Sequence, residues 1–228
     1  MIILTGASGG IGKELLAPIL KLDHVVALYN TSKPEISLDN NRLNYHRVNL
    51  EEPNGIKSFV KKLESKISKV TIVHAAALSI DALAANYEEA DWDRIMRVNL
   101  KANFLLNKAF LPHMIRENWG RIIHISSLVG IEGTRGTIAY STSKTGLMGM
   151  SRVLAKEYAQ FNITSNVLVL GYFEVGLINT LPDEEKKRII KQIPSGKLGS
   201  VSNIANAINF LMKSEYANGS AIHIDGAI

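Results

Sequence analysis

Short apolar runs rich in valine, isoleucine and leucine alternate along the chain with longer stretches in which apolar positions recur at helical spacing. A continuous apolar run suits a strand buried on both faces, while recurrence at three and four residues suits one face of a helix. The runs predict strands over Ile2–Thr5, Val25–Tyr29, Asn44–Val48, Val70–His74, Arg121–Ser126, Thr164–Leu170 and Ala221–Ile224. The longer stretches predict helices over Ile11–Lys21, Pro53–Lys66, Trp92–Asn118, Tyr140–Phe161, Asp183–Gln192 and Val201–Ser214. Strands and helices in this rhythm predict the α/β class: a doubly wound, Rossmann-type parallel sheet of about seven strands with helices on both faces. Ligands of such sheets bind outside the carboxyl ends of the strands. No repeat, low-complexity tract or Pro/Gly-rich linker divides residues 1–228, so one domain is predicted.

Composition removes several classes of function. At 228 residues with 46% hydrophobic content, the chain is long enough for one sizeable core without staples. It has no cysteine, which excludes disulfides, iron–sulfur clusters and thiolate zinc sites. The histidines, at 24, 46, 74, 113, 124 and 223, form no HExxH or HxxxH pattern, and no metal site is predicted. The net charge of +5 is spread among acids, as in "DEEKKRIIK", which reads as a solvated helix face and not as a nucleic-acid surface. No stretch of 18 uncharged apolar residues occurs, so no membrane span is predicted. The opening "MIILTGASGG" reads as a strand running into a turn, without a basic n-region or cleavage site, and the expected location is the cytoplasm.

The first chemical signal is that turn. In "TGASGGIGKELL" the glycines at 6, 10 and 12 permit a tight turn, close backbone approach to a pyrophosphate and close packing of the following helix. Gly6, Ser8, Gly9, Gly10, Ile11 and Gly12 are the candidate contacts, with the helix N-terminus favouring a phosphate. The spacing is neither GxGxxG nor a Walker loop, since Lys13 lacks the GKS/T context. The second strand ends in "ALYNTSKPE", where Asn30, Thr31, Ser32 and Lys33 stand and no acid precedes Glu35. A carboxylate there would hold ribose hydroxyls, whereas hydroxyls, amides or a cation accommodate a 2′-phosphate. NADP(H) is therefore expected over NAD(H).

The second signal is "YSTSK". Tyr140 and Lys144, four residues apart, share one face of a helix. A tyrosine ionises near pH 10, and lowering that by about three units takes roughly 4 kcal/mol, which a neighbouring ammonium and a positive nicotinamide together could supply. Ser127 lies 13 residues upstream at the end of the "RIIHISS" strand, and Asn99 occupies a helix interior that does not favour an amide.

On these residues the chain resembles the short-chain dehydrogenase/reductase family, in its compact single-domain branch, along essentially its whole length. The nearest familiar activity is 3-oxoacyl-[acyl-carrier-protein] reduction. The resemblance implies catalytic roles for Asn99, Ser127, Tyr140 and Lys144. Tyr140 would be the acid that protonates the carbonyl oxygen, or the base in reverse, and Ser127 would orient that oxygen. Lys144 would lower the tyrosine pKa and hold the nicotinamide ribose, and Asn99 would position a relaying water. It further implies cofactor contacts at Asn49, Leu50, Ala75, Ala76, Gly171 and Phe173, with Tyr140 and Lys144 also touching the cofactor. The implied function is an NADPH-dependent carbonyl reductase acting on a small-molecule carbonyl or alcohol. A sugar-modifying dehydrogenase and a non-catalytic nucleotide-binding member are the alternatives. A homotetramer or homodimer is implied, built on the two long helices; Phe104, Leu105, Phe110, Leu147, Met150 and Leu154 suit either that interface or the core.

The chain departs from the family pattern at several points. His74-Ala75-Ala76-Ala77 stands where Asn-Asn-Ala-Gly is usual, which removes an amide expected to brace the sheet. Leu170-Gly171 replaces Pro-Gly, Val175 replaces a threonine that meets the nicotinamide amide, and Ala227 replaces a second glycine. Residues 171–198 form the expected substrate lid, hinged by Gly171 and Gly176 and carrying Leu177, Ile178 and Leu181 toward the pocket. Gly133, Thr134, Ile138 and Ala139 would form another pocket wall. Arg135 reads as a solvated loop residue or as a contact for an anionic carrier.

Overall fold

The computed structural model describes residues 1–34, 41–64 and 67–228, the side chains of Leu177 and Thr180 aside. Seven strands form one sheet: β1 (Ile2–Thr5), β2 (Val25–Tyr29), β3 (Leu43–Arg47), β4 (Val70–His74), β5 (Gly120–Ser127), β6 (Ile163–Leu170) and β7 (Ala221–Ile224). Their spatial order is β3-β2-β1-β4-β5-β6-β7, with every pairing parallel. The chain first winds outward from β1 to β3 and then returns to place β4 on the other side of β1. The order reverses between β1 and β4, and the crevice above their carboxyl ends is where such a sheet binds its ligand.

Eight helices among the described residues cover the sheet: α1 (Gly10–Leu20), α2 (Pro53–Leu63), α3 (Glu89–Met96), α4 (Ala102–Arg116), α5 (Val129–Glu132), α6 (Ile138–Tyr158), α7 (Asp183–Gln192) and α8 (Val201–Lys213). Alternate residues of β1 feed two cores. Ile2 and Leu4 pack with Leu15, Leu16 and Ile19 of α1 and Ile204, Ile208 and Leu211 of α8. Ile3 packs on the opposite face with Ile56 and Phe59 of α2, Leu106 and Phe110 of α4, and Leu154 of α6. Because both faces are covered, the inner strands carry apolar runs with little polar alternation, unlike the edge strands β3 and β7, and each large aliphatic side chain so buried contributes about 1.5–3 kcal/mol.

The differences from the sequence expectation have local causes. The third strand is Leu43–Arg47, one residue earlier than Asn44–Val48, although Val48 is still buried. The stretch Trp92–Asn118 is not one regular helix: α3 and α4 are joined by a π-helical turn, Arg97–Lys101. The helix containing Tyr140 begins at Ile138 and ends at Tyr158, with a 3₁₀ turn at Ala159–Phe161 before β6. α5 and the 3₁₀ turns at Ala84–Asn86 and Gly176–Thr180 are too short to show a hydrophobic period. The last two positions of the helix expected over Pro53–Lys66, and Glu35, lie outside the described residues. Among the described residues no helix is long and apolar enough to cross a membrane.

Candidate active site

The glycine turn closes on itself by contacts that no side chain would survive. Gly6 has φ +68°, and a Cβ there would lie 2.6 Å from the Ala76 Cα on the neighbouring β4 exit. A Cβ on Gly12 would run into the Gly6 carbonyl, and one on Gly10 into the Gly176 Cα at the head of the expected lid. Gly9 caps α1 with extended backbone and no side-chain bond, and the Lys13 amide donates to its carbonyl at 2.8 Å. The amides of the first turn are therefore left without intrahelical acceptors at the positive end of the helix. Ser8, Gly9 and Gly10 are exposed there, Ile11 is half-buried beside them and Gly12 is packed beneath. This cradle fits a pyrophosphate.

Asn30, Thr31 and Ser32 lie exposed at the end of β2. Across from them, Arg47 Nε donates to the Asn30 carbonyl at 2.9 Å, and Lys33 Nζ lies 4.8 Å from the centre of the Tyr45 ring. Asn49 is engaged locally: its Nδ2 donates to Glu52 Oε1 at 2.9 Å and its Oδ1 accepts from the Glu51 amide at 3.0 Å. Leu50 packs half-buried against the second core. At Ala75-Ala76 the chain is held by Thr5, whose Oγ1 accepts from the Ala76 amide at 3.0 Å and ties β1 to the exit of β4.

Gly171 and Phe173 sit at the end of β6. A Cβ on Gly171 would lie 2.7 Å from the Asp225 Cα, so the glycine there serves close packing more than hinge freedom. The Phe173 ring is buried in the first core against Gly199, which leaves only its main chain for a nucleotide contact. Ala227 takes φ +73°, the left-handed conformation that explains why the family favours a glycine at this place.

Asn99, Ser127, Tyr140 and Lys144 lie together where the π-helical turn, the end of β5 and α6 meet. Asn99 lies buried in the π-helical turn, and such turns accompany functional sites because they redirect a side chain within a helix. Its Oδ1 accepts from the Leu78 amide at 2.8 Å, and its Nδ2 donates to the Leu78 carbonyl at 2.9 Å and to Ser143 Oγ at 3.1 Å. Asn99 thereby fixes the chain leaving β4. Lys144 is fully buried, and its Nζ donates to the Ile125 carbonyl at 2.7 Å while lying 5.5 Å from the centre of the Tyr140 ring. Burial without a carboxylate partner brings its pKa down to about 8.

The resemblance implies a tyrosine pKa lowered by Lys144; in the protein by itself the balance runs the other way. Burial raises the Tyr140 pKa, the hydroxyl of Ser127 opposes this, and the Asp81 carboxylate adds to it. The phenol is consequently held protonated at neutral pH, the state an acid requires. Ser127 Oγ also accepts from the Val129 amide at 3.2 Å, and Ser126 Oγ donates to the Lys144 carbonyl at 3.1 Å, which locks α6 onto β5.

Sequence reasoning did not single out the histidines behind this group. His74 and His124 end up paired in register on β4 and β5, with their rings stacked at a centroid distance of 4.8 Å and an angle of 7°. His74 Nε2 donates to Asn107 Oδ1 at 2.8 Å. His74 Nδ1 and both nitrogens of His124 are buried without a hydrogen-bond partner among the described residues. Burial lowers the His74 pKa to about 4 and that of His124 well below its usual value, so both rings are neutral. A histidine closing β4 and another within the apolar run of β5 were the available signal. Thr5 and Arg47 were also missed, because their partners are remote in sequence.

Residues 1–186 match the short chain dehydrogenase family, and the chain belongs to it. It is a nicotinamide-dependent oxidoreductase of that family. Similar proteins include the 3-oxoacyl-[acyl-carrier-protein] reductase FabG of Rickettsia bellii (strain RML369-C), 34% identical over 99% of this chain and 95% of the relative. FabG of Escherichia coli (strain K12) is 33% identical over 99% and 96% of the two chains, and nodulation protein G of Rhizobium sp. (strain N33) is 33% identical over 99% and 95%.

Proposed function

We propose that the protein is an NADPH-dependent reductase that converts a ketone to a secondary alcohol, with 3-oxoacyl thioesters as the substrate class. The observation that carries this reading is the placement of a protonated Tyr140 beside Ser127 and above a buried Lys144, in the crevice that begins at the glycine turn. The names of the relatives support the substrate class.

A reduced nicotinamide nucleotide supplies the hydride. Tyr140 donates its phenolic proton to the carbonyl oxygen as negative charge develops there, and Ser127 holds that oxygen against the phenol. Lys144 spends one N–H on Ile125 and has others for the nicotinamide ribose, while its positive charge favours the phenolate left after proton transfer. Asn99 works through Leu78 and Ser143, which take both hydrogens of its Nδ2 and one lone pair of its Oδ1; a water held at this turn passes protons to Lys144. The amides of Gly10, Ile11 and Gly12 hold the pyrophosphate. Asn30, Thr31 and Ser32, with no preceding acid, favour the 2′-phosphorylated nucleotide. Asn49 and Leu50 lie along the adenine, and Ala75, Ala76, Gly171 and the Phe173 main chain line the remainder.

Residues 1–228 act as one nucleotide-binding domain, with 171–198 as the lid: Ile178 is buried, Leu181 is half-buried, and α7 follows them with no buried residue. Phe110, Leu147 and Leu154 belong to the core, whereas Phe104 and Val153, 48% and 53% exposed on α4 and α6, suit the interface of a homodimer or homotetramer. The test is to follow NADPH oxidation with 3-oxoacyl thioesters, simple ketones and keto-sugars. Tyr140→Phe should lower kcat by about 10²–10⁴-fold. Full activity in that variant would remove the mechanism.

A further inference from the structure

The nucleotide end of the crevice carries two cations from different strands. Lys33 belongs to the turn after β2, and Arg47 is the last residue of β3. Tyr45 and Arg47, two apart on β3, point to the same face of the sheet, and Tyr45 identifies that face by packing against the core that α1 covers. The two cations therefore stand on the side where the helix bearing the phosphate cradle begins. Each is held by a separate contact: Arg47 Nε by the Asn30 carbonyl at 2.9 Å, Lys33 Nζ over the Tyr45 ring at 4.8 Å. The Nε bond fixes the guanidinium at the end of β2 and leaves its two terminal amino groups for another acceptor. Both side chains are exposed, and among the described residues no carboxylate lies within ion-pair distance of either.

Two uncompensated cations flanking the hydroxyls of Thr31 and Ser32 have a definite preference. A guanidinium fork pairs bidentately with phosphate oxygens and a lysine adds a point charge, whereas a ribose bearing only hydroxyls offers neither of them a charge. We propose that Arg47, anchored on Asn30 and assisted by Lys33, is the residue that selects a nucleotide carrying a phosphate monoester on the adenosine ribose. This rests on the NADPH reading above and assigns the discrimination to β3, outside the β2 turn from which that reading was drawn.

The test measures binding without turnover. NADPH and NADH are titrated into the purified protein by cofactor fluorescence, and thermal stabilisation by 2′,5′-ADP is compared with that by 5′-ADP. Arg47→Ala should weaken NADPH and 2′,5′-ADP by about 10–100-fold, the range for a hydrogen bond to a charged group, and leave NADH within about twofold. Arg47→Lys should recover part of the loss, since it keeps the charge without the anchored fork. The wild-type preference should also shrink with added salt more than that of Arg47→Ala. A wild type that prefers NADH overturns the cofactor reading and this proposal with it. A wild type that prefers NADPH, with Arg47→Ala binding it equally well, overturns the role of Arg47 alone.

Discussion

His74 and His124 face each other across the β4–β5 pairing as two neutral, stacked and fully buried rings. Unfolding returns each to an ordinary pKa near 6.5, while the folded value of His74 is about 4 and that of His124 lies well below 6.5. The unfolded chain therefore binds more protons between about pH 6.5 and 4. The stability that both rings have when neutral is intact above 6.5 and drains away through that window, by up to about 1.4 kcal/mol per pH unit for each ring. Urea unfolding at pH 7.5, 6.0 and 5.0 should show this slope. His124→Leu should cut it by about half, and an unchanged slope would show that the rings titrate alike in both states.

Lys144 is a buried cation whose attachment to Ile125 does not offset its desolvation. Its folded pKa of about 8 lies below the ordinary lysine value near 10.5, so stability rises as pH climbs through that interval. Lys144→Met removes the buried charge and retains most of the volume. It should stabilise the protein at pH 7 by an amount on the order of 2–3 kcal/mol while lowering kcat by about 100-fold or more. Thermal midpoint and rate measured on one preparation would show the two effects moving in opposite directions.

Asn99→Ala leaves the amide and carbonyl of Leu78 and the Ser143 hydroxyl without their shared partner. Ser143 Oγ keeps its bond to the Tyr140 carbonyl at 2.7 Å, and the two half-buried Leu78 groups so orphaned cost about 1–2 kcal/mol each. A total loss of about 2–4 kcal/mol is expected in chemical denaturation. Asn99→Asp should behave as badly, because a carboxylate accepts from the Leu78 amide but repels its carbonyl.

Gly10→Ala places a methyl against the Gly176 backbone, and the head of the proposed lid must yield. A displacement of about 1 Å at an active site can cost on the order of 100-fold in rate. Activity should drop sharply with little change in the thermal midpoint. Gly9→Ala, whose nearest obstacle is the Gly6 carbonyl at 3.3 Å, serves as the mild control. Equal rates for the two variants would dissociate the lid from the cradle.

What could be read from the sequence was what lies close together in it. Tyr140 and Lys144 share one helix, and Ser127 closes the strand just before them, so short spacings announced the site. The strands were legible because burial on both faces leaves runs with almost no polar interruption. Arg47 on Asn30, Thr5 on Ala76 and His74 on His124 are products of sheet register, which joins residues 17, 71 and 50 positions apart. The direction of the Tyr140 shift was equally hidden, because it depends on burial and on Asp81, a loop residue far away in the chain. The π-helical turn left only an indirect mark: the buried asparagines at 99, 103 and 107 follow an ordinary helical period.

That turn makes the length of the chain a functional quantity. A π turn holds one residue more than the α-helix around it needs. Removing one residue of 97–101 other than Asn99 would let the helix relax to regular winding with α3 and α4 close to their present phase, and would re-aim the side chains of the turn itself. Every neighbour in that stretch could keep its identity and Asn99 would still lose Leu78. A one-residue deletion there should therefore strip Asn99 of its partners while leaving the packing of α3 and α4 nearly unchanged, a loss of activity larger than the loss of stability.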